Sequence, residues 1–214
     1  IGVAAAETVA RSQDLRPGSR IAVYLGSPPS VEMMYQVGMM SDRDLERVCS
    51  QGPYNIEPIS FHIVRPVTLA KGATHPDAGV WVARFRFNRC GESFVYNALM
   101  FARPGQPPEA GLFVPGETSA DPVLFRDMKE PLATIAMLGA DKATGKPCAD
   151  NTSLRIEHTT APVAQENVVL PDGRRDRVMN EVWTMRACGA TVPVKVQFFR
   201  HPTLPGISFR MSLD

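Results

Sequence analysis

The sequence predicts an α+β fold in which an α-ββββ unit occurs twice, with antiparallel sheets, two main helices and pseudo-two-fold symmetry. Three observations carry this expectation. Trp81, Ala83, Phe85 and Phe87 alternate with Val82, Arg84, Arg86 and Asn88, the period-two pattern of a half-buried antiparallel strand. Segments with helical apolar spacing precede each group of strands. The dipeptide Cys-Gly recurs at Cys90-Gly91 and Cys188-Gly189, and its flanks match without a gap. Phe94, Tyr96, Ala98 and Met100 fall on Val192, Val194, Val196 and Phe198, while Phe85 and Phe87 fall on Trp183 and Met185. With a two-residue gap upstream, His62 and Pro66 match His158 and Pro162. Self-similarity of this kind is the mark of an internal repeat.

Taken in order, the elements begin with a segment 1–28 expected to hold a helix over Ala4–Leu15 and a strand over Ile21–Leu25. Its alanine-rich opening reads either as the first turn of that helix or as a signal-peptide remnant. Repeat 1 covers 29–116. Val31–Met40 is expected to form a helix or turn weakened by Gly38, and Ser41-Asp42-Arg43-Asp44 reads as a helix start with Leu45, Val48 and Cys49 on one face. Repeat 2 covers 117–214. Asp121 is an N-cap with Pro122 at the first helical position, Pro131 is expected to kink or divide the helix, and Gly139 is its expected C-cap. Asp172-Gly173 marks a turn ahead of the strand Arg177–Cys188. Each Cys-Gly is expected to turn a hairpin, with Gly taking the positive φ. Because one helix on four strands leaves an apolar face open, the two repeats are expected to share a core.

Composition bounds the function classes. The 214 residues are 44% hydrophobic and 21% charged, so a packed core is within reach and wholesale disorder is excluded. A formal net charge of +1 with no basic block argues against nucleic-acid binding driven by charge. No window approaches the ~18 uninterrupted apolar residues of a membrane span. Four cysteines stand at intervals of 41 residues (Cys49 to Cys90) and 40 residues (Cys148 to Cys188). The near-equal intervals suggest one disulfide inside each repeat, although four cysteines allow three pairings. An even count without C-x-x-C favours an oxidising compartment over a zinc ribbon or a redox site.

Chemistry-bearing patterns are sparse. No G-x-S-x-G occurs; Gly26-Ser27-Pro28-Pro29-Ser30 lacks the second glycine of a nucleophile elbow. No P-loop or G-x-G-x-x-G supports a nucleotide cofactor, and no cofactor is expected. The histidines form no H-E-x-x-H, but His62 and His158 occupy equivalent places and could form half of a two-fold site. Glu157 and Glu181 lie on expected neighbouring strands, with Glu92 at a turn; paired carboxylates of this kind are set by separation in space. Arg84 and Arg86 alternate with aromatics and so face away from them. Met33, Met34, Met39 and Met40 read as core filling or as a docking stripe, and Pro66, Pro162 and Pro193 as protection of sheet edges.

The stretches Pro115-Gly116-Glu117-Thr118-Ser119-Ala120-Asp121-Pro122-Val123-Leu124 and Trp183 through Cys188-Gly189 to Phe199 resemble motifs of uncharacterised secreted or envelope proteins of Gram-negative bacteria. The resemblance covers the second half of the chain through short motifs. It implies a periplasmic or secreted location and brings no activity, so no site residue is transferred from it.

These readings together point to a non-catalytic binding or assembly module of the cell envelope with a protein partner. The alternatives are an envelope hydrolase, for which Glu157, His158 and Glu181 are the first residues to test, and an inhibitor or immunity-type protein. The hydrolase requires those three side chains to converge in a cleft.

Overall fold

A computed structural model of the chain describes residues 18–47, 49, 52–149, 153–170, 172–201 and 206–213. The expected helix Ala4–Leu15, the opening residues and Val48 lie outside these. The fold is α+β with two antiparallel sheets, one of four strands and one of five. The chain divides into two compact units, one ending at Phe113 and the other starting at Val114.

The N-terminal unit opens with helix α1 (Arg20–Leu25), where the sequence had suggested a strand. A five-residue apolar run has no decisive period, and the outcome is set by its ends. The Ser19 side chain accepts a hydrogen bond from the Ala22 N–H as an N-cap. Arg20 meanwhile donates across 50 residues to the Ala70 carbonyl at 2.8 Å, and Tyr24 and Leu25 turn into the core.

Helix α2 runs unbroken over Pro28–Asp44, so Ser41-Asp42 ends a helix and does not start one. Pro28 and Pro29 occupy the first positions, where a missing N–H costs nothing. Ser41, which looked like a cap, instead donates to the Val37 carbonyl one turn back at 2.8 Å. Gly38 lies in mid-helix because a Cβ there would stand 2.7 Å from the Phe87 ring. Gly38→Ala is therefore expected to lower stability by about 1–3 kcal/mol despite alanine's better helix propensity. Denaturant unfolding measures this, and a stabilised variant would contradict the close contact.

Sheet A follows as a meander of β1 (Asn55–Thr68), β2 (Ala78–Arg89), β3 (Glu92–Arg103) and β4 (Gln106–Leu112), in that order. The expected alternation holds: Trp81, Ala83, Phe85 and Phe87 are fully buried, as are Ala98 and Met100 on β3. Met34 and Val37 of α2 complete this core, with Met33 and Met39 packed against it, so the methionine stripe is mainly core filling. Arg86 faces the other way and pairs with Glu57 at 2.7 Å.

The C-terminal unit begins with helix α3 (Pro122–Thr144). The Asp121 carboxylate accepts from the N–H groups of Val123 and Leu124, both at 2.8 Å, as the N-cap reading required. Pro131 does not divide the helix. It lies on the exposed face, so the carbonyl it leaves unbonded one turn earlier meets water. Nor does the helix end at Gly139; it continues to Gly145, which takes the left-handed conformation at φ 67°. Gly139 is needed for space, since a Cβ there would run into the Val192 side chain.

Sheet B holds β5 (Arg155–Thr159), β6 (Val163–Val169), β7 (Arg175–Ala187), β8 (Ala190–Arg200) and β9 (Ile207–Ser212). β5 and β6 both pair with β7, the first along its C-terminal half and the second along its N-terminal half. Together they fill the place that β1 fills alone in sheet A, so this unit has five strands where four were expected. Pro162, without an N–H to donate, lies in the break between them. Pro193 is in β8, an interior strand and not an edge. It is tolerated there because β9 pairs only with Lys195 to Arg200 and stops short of it.

Both units thus run from helix to sheet and close their central hairpin with Cys-Gly. Cys90 and Gly91 have φ of 48° and 74°, and Cys188 and Gly189 have 46° and 78°. Two positive values in a two-residue loop define a type I′ turn, which matches the twist of the flanking strands. Glycine adopts this freely, but the cysteines do so at a cost. The likeness of the units is one of topology and turn geometry; common descent from one duplicated unit is a proposal from the sequence.

Candidate functional site

Each unit joins its Cys-Gly turn to the chain just past its helix. Cys49 is bonded to Cys90 with Cα atoms 6.2 Å apart, and Cys148 to Cys188 at 5.7 Å. No free cysteine remains, so thiolate chemistry has no side chain to use. Both bridges are the ones the spacing suggested.

Beside the first bridge lies a buried charged cluster that the sequence reading missed. Asp42, at the end of α2, and Arg89, at the end of β2, are each 3% exposed. The Arg89 guanidinium donates through Nε to Asp42 and through a second nitrogen to Asp42 Oδ1 at 3.0 Å, a forked pairing with directional strength. Its remaining nitrogen reaches Glu92 Oε2 at 2.6 Å. The Tyr96 hydroxyl donates to Asp42 Oδ1 at 2.5 Å, and Phe94 packs under the guanidinium groups of Arg89 and Arg47, 4.7 and 4.4 Å from its ring centroid. The hydrogen bond to Asp42 is the main reason the Arg89 guanidinium holds its proton even more firmly than usual. Every strong group in the cluster is thereby committed to a partner inside it.

One signal could have found this cluster. Asp42 precedes Cys49 by seven residues, and Asp141 precedes Cys148 by the same seven. In the C-terminal unit Asp141 accepts from the backbone N–H of Cys148 itself. A carboxylate seven residues before the bridge thus stands near the end of each helix: Asp141 holds the chain that leaves its helix, whereas Asp42 holds Arg89 beside the Cys90 turn.

Tyr96 also makes stability depend on pH. Burial first, and the bond to Asp42 second, push its hydroxyl well above the ordinary value; burial also raises that of Tyr24. A raised phenol keeps its proton in the fold after the unfolded chain has lost it. Stability is therefore full below the ordinary tyrosine pKa of about 10 and falls as pH rises above it. Urea midpoints between pH 8 and 11 should show this decline, and Tyr96→Phe should flatten it. A flat wild-type profile would refute the assignment.

The acidic residues nominated from sequence are separated by the sheet. Glu181 on β7 is 2% exposed, on the face that carries the buried Trp183 and Met185. It accepts from the Ser119 N–H at 2.6 Å and from Trp183 Nε1 at 2.8 Å. The Thr159 hydroxyl donates to the Pro115 carbonyl at 2.8 Å and the Glu117 N–H donates to the Thr159 carbonyl at 3.1 Å. The stretch Pro115–Ala120 is thus stitched onto β5 and β7, and Glu181 is one of the stitches. Glu157 projects to the opposite, solvent-side face, where Arg186 holds it at 2.5 Å. His158 is exposed on β5, opposite Thr184. These three side chains do not form one cleft. His62, on β1 opposite Val82, is exposed and belongs to the other unit.

Among the described residues, no three His, Cys, Asp or Glu side chains are placed to hold a metal ion, and no helix is long and apolar enough to cross a membrane. Trp81 Nε1, fully buried in the N-terminal unit, has no hydrogen-bond partner, in contrast to Trp183. Compared with protein-family models, with curated proteins and with solved structures, the chain has no match.

Proposed function

We propose that the protein is a non-catalytic binding or assembly module of the cell envelope, acting in the periplasm or outside the cell with a protein partner. The observation that carries this reading is the state of the nominated acids: Glu181 is spent on Ser119 and Trp183, and Glu157 on Arg186 across the sheet. A general acid needs a reachable proton; Glu181 is buried on two N–H donors and Glu157 is paired with Arg186, which supports the non-catalytic reading. Two disulfides fit an oxidising compartment, and the motif resemblance in the second half points the same way.

Two measurements test the reading. Cross-linking in a Gram-negative periplasmic extract is expected to capture a protein at one-to-one stoichiometry. Purified chain is expected to turn over no ester, peptide or glycan substrate; turnover lost in Glu157→Gln or Glu181→Gln would establish the hydrolase instead. Glu181→Gln should also lower stability by about 1–3 kcal/mol, because the two donors meet different carboxylate oxygens and the amide would turn its own NH2 toward one of them.

A further inference from the structure

The two disulfides close loops of nearly equal span, 41 and 40 residues, so chain entropy does not tell them apart. Their surroundings do. Cys90, at the tip of the β2–β3 hairpin, is exposed and Cys49 is half-buried. In the other bridge Cys148 is only 7% exposed and Cys188 is half-buried. The glycine that completes each turn is open in both units, since a Cβ at Gly91 or Gly189 would meet nothing within 4 Å. The difference therefore lies in the cysteines themselves, and thiol–disulfide exchange depends on access to a sulfur.

The units also differ in what else holds the bridged segments together. Asp42 at the end of α2 and Arg89 at the end of β2 are joined by the forked ion pair. Cys49 follows Asp42 by seven residues, and Cys90 follows Arg89 directly. Bridge and ion pair thus clamp the same helix end to the same hairpin, one by a covalent bond and the other by buried charge. Tyr96 adds a link from β3 to Asp42 at 2.5 Å. The C-terminal unit is built otherwise. Asp141 is bonded to the Cys148 N–H, within its own segment, and the residue before Cys188 is Ala187, whose methyl group can form no ion pair.

We propose that Cys49–Cys90 is a redox-sensitive bridge, opened by a dithiol without unfolding its unit, and that Cys148–Cys188 is a fixed structural one. A thiolate of the dithiol attacks Cys90 Sγ. The Cys49–Cys90 bond breaks, and its electron pair leaves on Cys49 Sγ, which takes a proton. The donor's second thiolate then attacks the donor sulfur of the mixed disulfide and releases Cys90 as a thiolate. The bridge has gained two electrons and the dithiol has become a disulfide. Reduction frees Cys49 from the hairpin tip, while Asp42, Arg89 and Tyr96 keep α2 seated on sheet A.

The oxidised chain is treated with dithiothreitol in native buffer at about pH 8, quenched with N-ethylmaleimide at intervals and mapped by peptide mass. Cys49 and Cys90 are expected to be labelled about tenfold faster than Cys148 and Cys188. The chain reduced at the first bridge alone should keep slow amide exchange in β2 and β3. With glutathione as a monothiol, the trapped mixed disulfide is expected on Cys90. Equal labelling of the two bridges, faster labelling of the second, or loss of β2 and β3 protection as the first bridge opens would overturn the proposal. A glutathione adduct on Cys49 would overturn Cys90 as the attacked sulfur. Arg89→Met removes the other clamp, so reduction of its first bridge should unfold the N-terminal unit. If that variant does not fold when oxidised, Arg89→Lys, which keeps the charge but not the fork, should lose part of its protection on reduction. Reduced variants as well protected as the reduced wild type would overturn the role given to the ion pair.

Discussion

Arg89→Met is expected to lower the free energy of unfolding by about 3–5 kcal/mol, a loss typical of leaving one buried charge without its partner. Asp42, 3% exposed, would keep only the Tyr96 hydroxyl and could not recover hydration without opening the end of α2. Glu92 would lose its bond too, but it is exposed to water and contributes little. The double variant Arg89→Met, Asp42→Leu removes both charges and should recover much of the loss. Denaturant unfolding of the two single variants and the double completes the cycle. A cost below about 1 kcal/mol for Arg89→Met would mean that the pair is hydrated and the cluster is not a fixed part of the core.

Removal of either disulfide should have a comparable effect. Each closes a loop of about 40 residues, for which chain entropy alone gives about 4 kcal/mol. Cys49→Ser with Cys90→Ser, and separately Cys148→Ser with Cys188→Ser, should each show this in urea unfolding of the oxidised chain. Loss of the first bridge should be more than additive with Arg89→Met, because Arg89 is the residue before Cys90 and both secure the same turn. Strict additivity would show that bridge and ion pair act independently.

What could be read from the sequence follows the range of the interactions involved. The hairpins were legible because alternation and turn chemistry are local: Trp81 to Phe87 declare their buried face within seven residues, and Cys-Gly declares the turn. The helix limits were less so. Ser41-Asp42 has the composition of an N-cap, and only the partner at Arg89, 47 residues away, shows why an aspartate stands at a helix end. Gly139 looked like a terminator because its reason, the Val192 side chain, lies on another element. Ile21–Leu25 was too short for its period to decide between strand and helix. For the candidate site, sequence placed Glu157 and Glu181 on adjacent strands but could not give the phase that sends them to opposite faces; the pairing of Ile156 with the buried Met185, which leaves Glu157 pointing outward, sets that.

The cysteine at the tip of each hairpin also acts as a gauge of strand alignment. A slip of β2 along β3 by two residues would keep every side chain on its proper face, so burial alone opposes it weakly. The same slip would carry a different residue into the turn and move Cys90 by about 6.6 Å, out of reach of Cys49. Only the aligned hairpin presents its sulfur where the bridge can close, and the C-terminal unit repeats the arrangement with Cys188 and Cys148. Oxidation therefore selects the correct ladder from neighbours that are nearly as well packed, and an oxidised chain carries in its covalent structure a record that both sheets were assembled in phase.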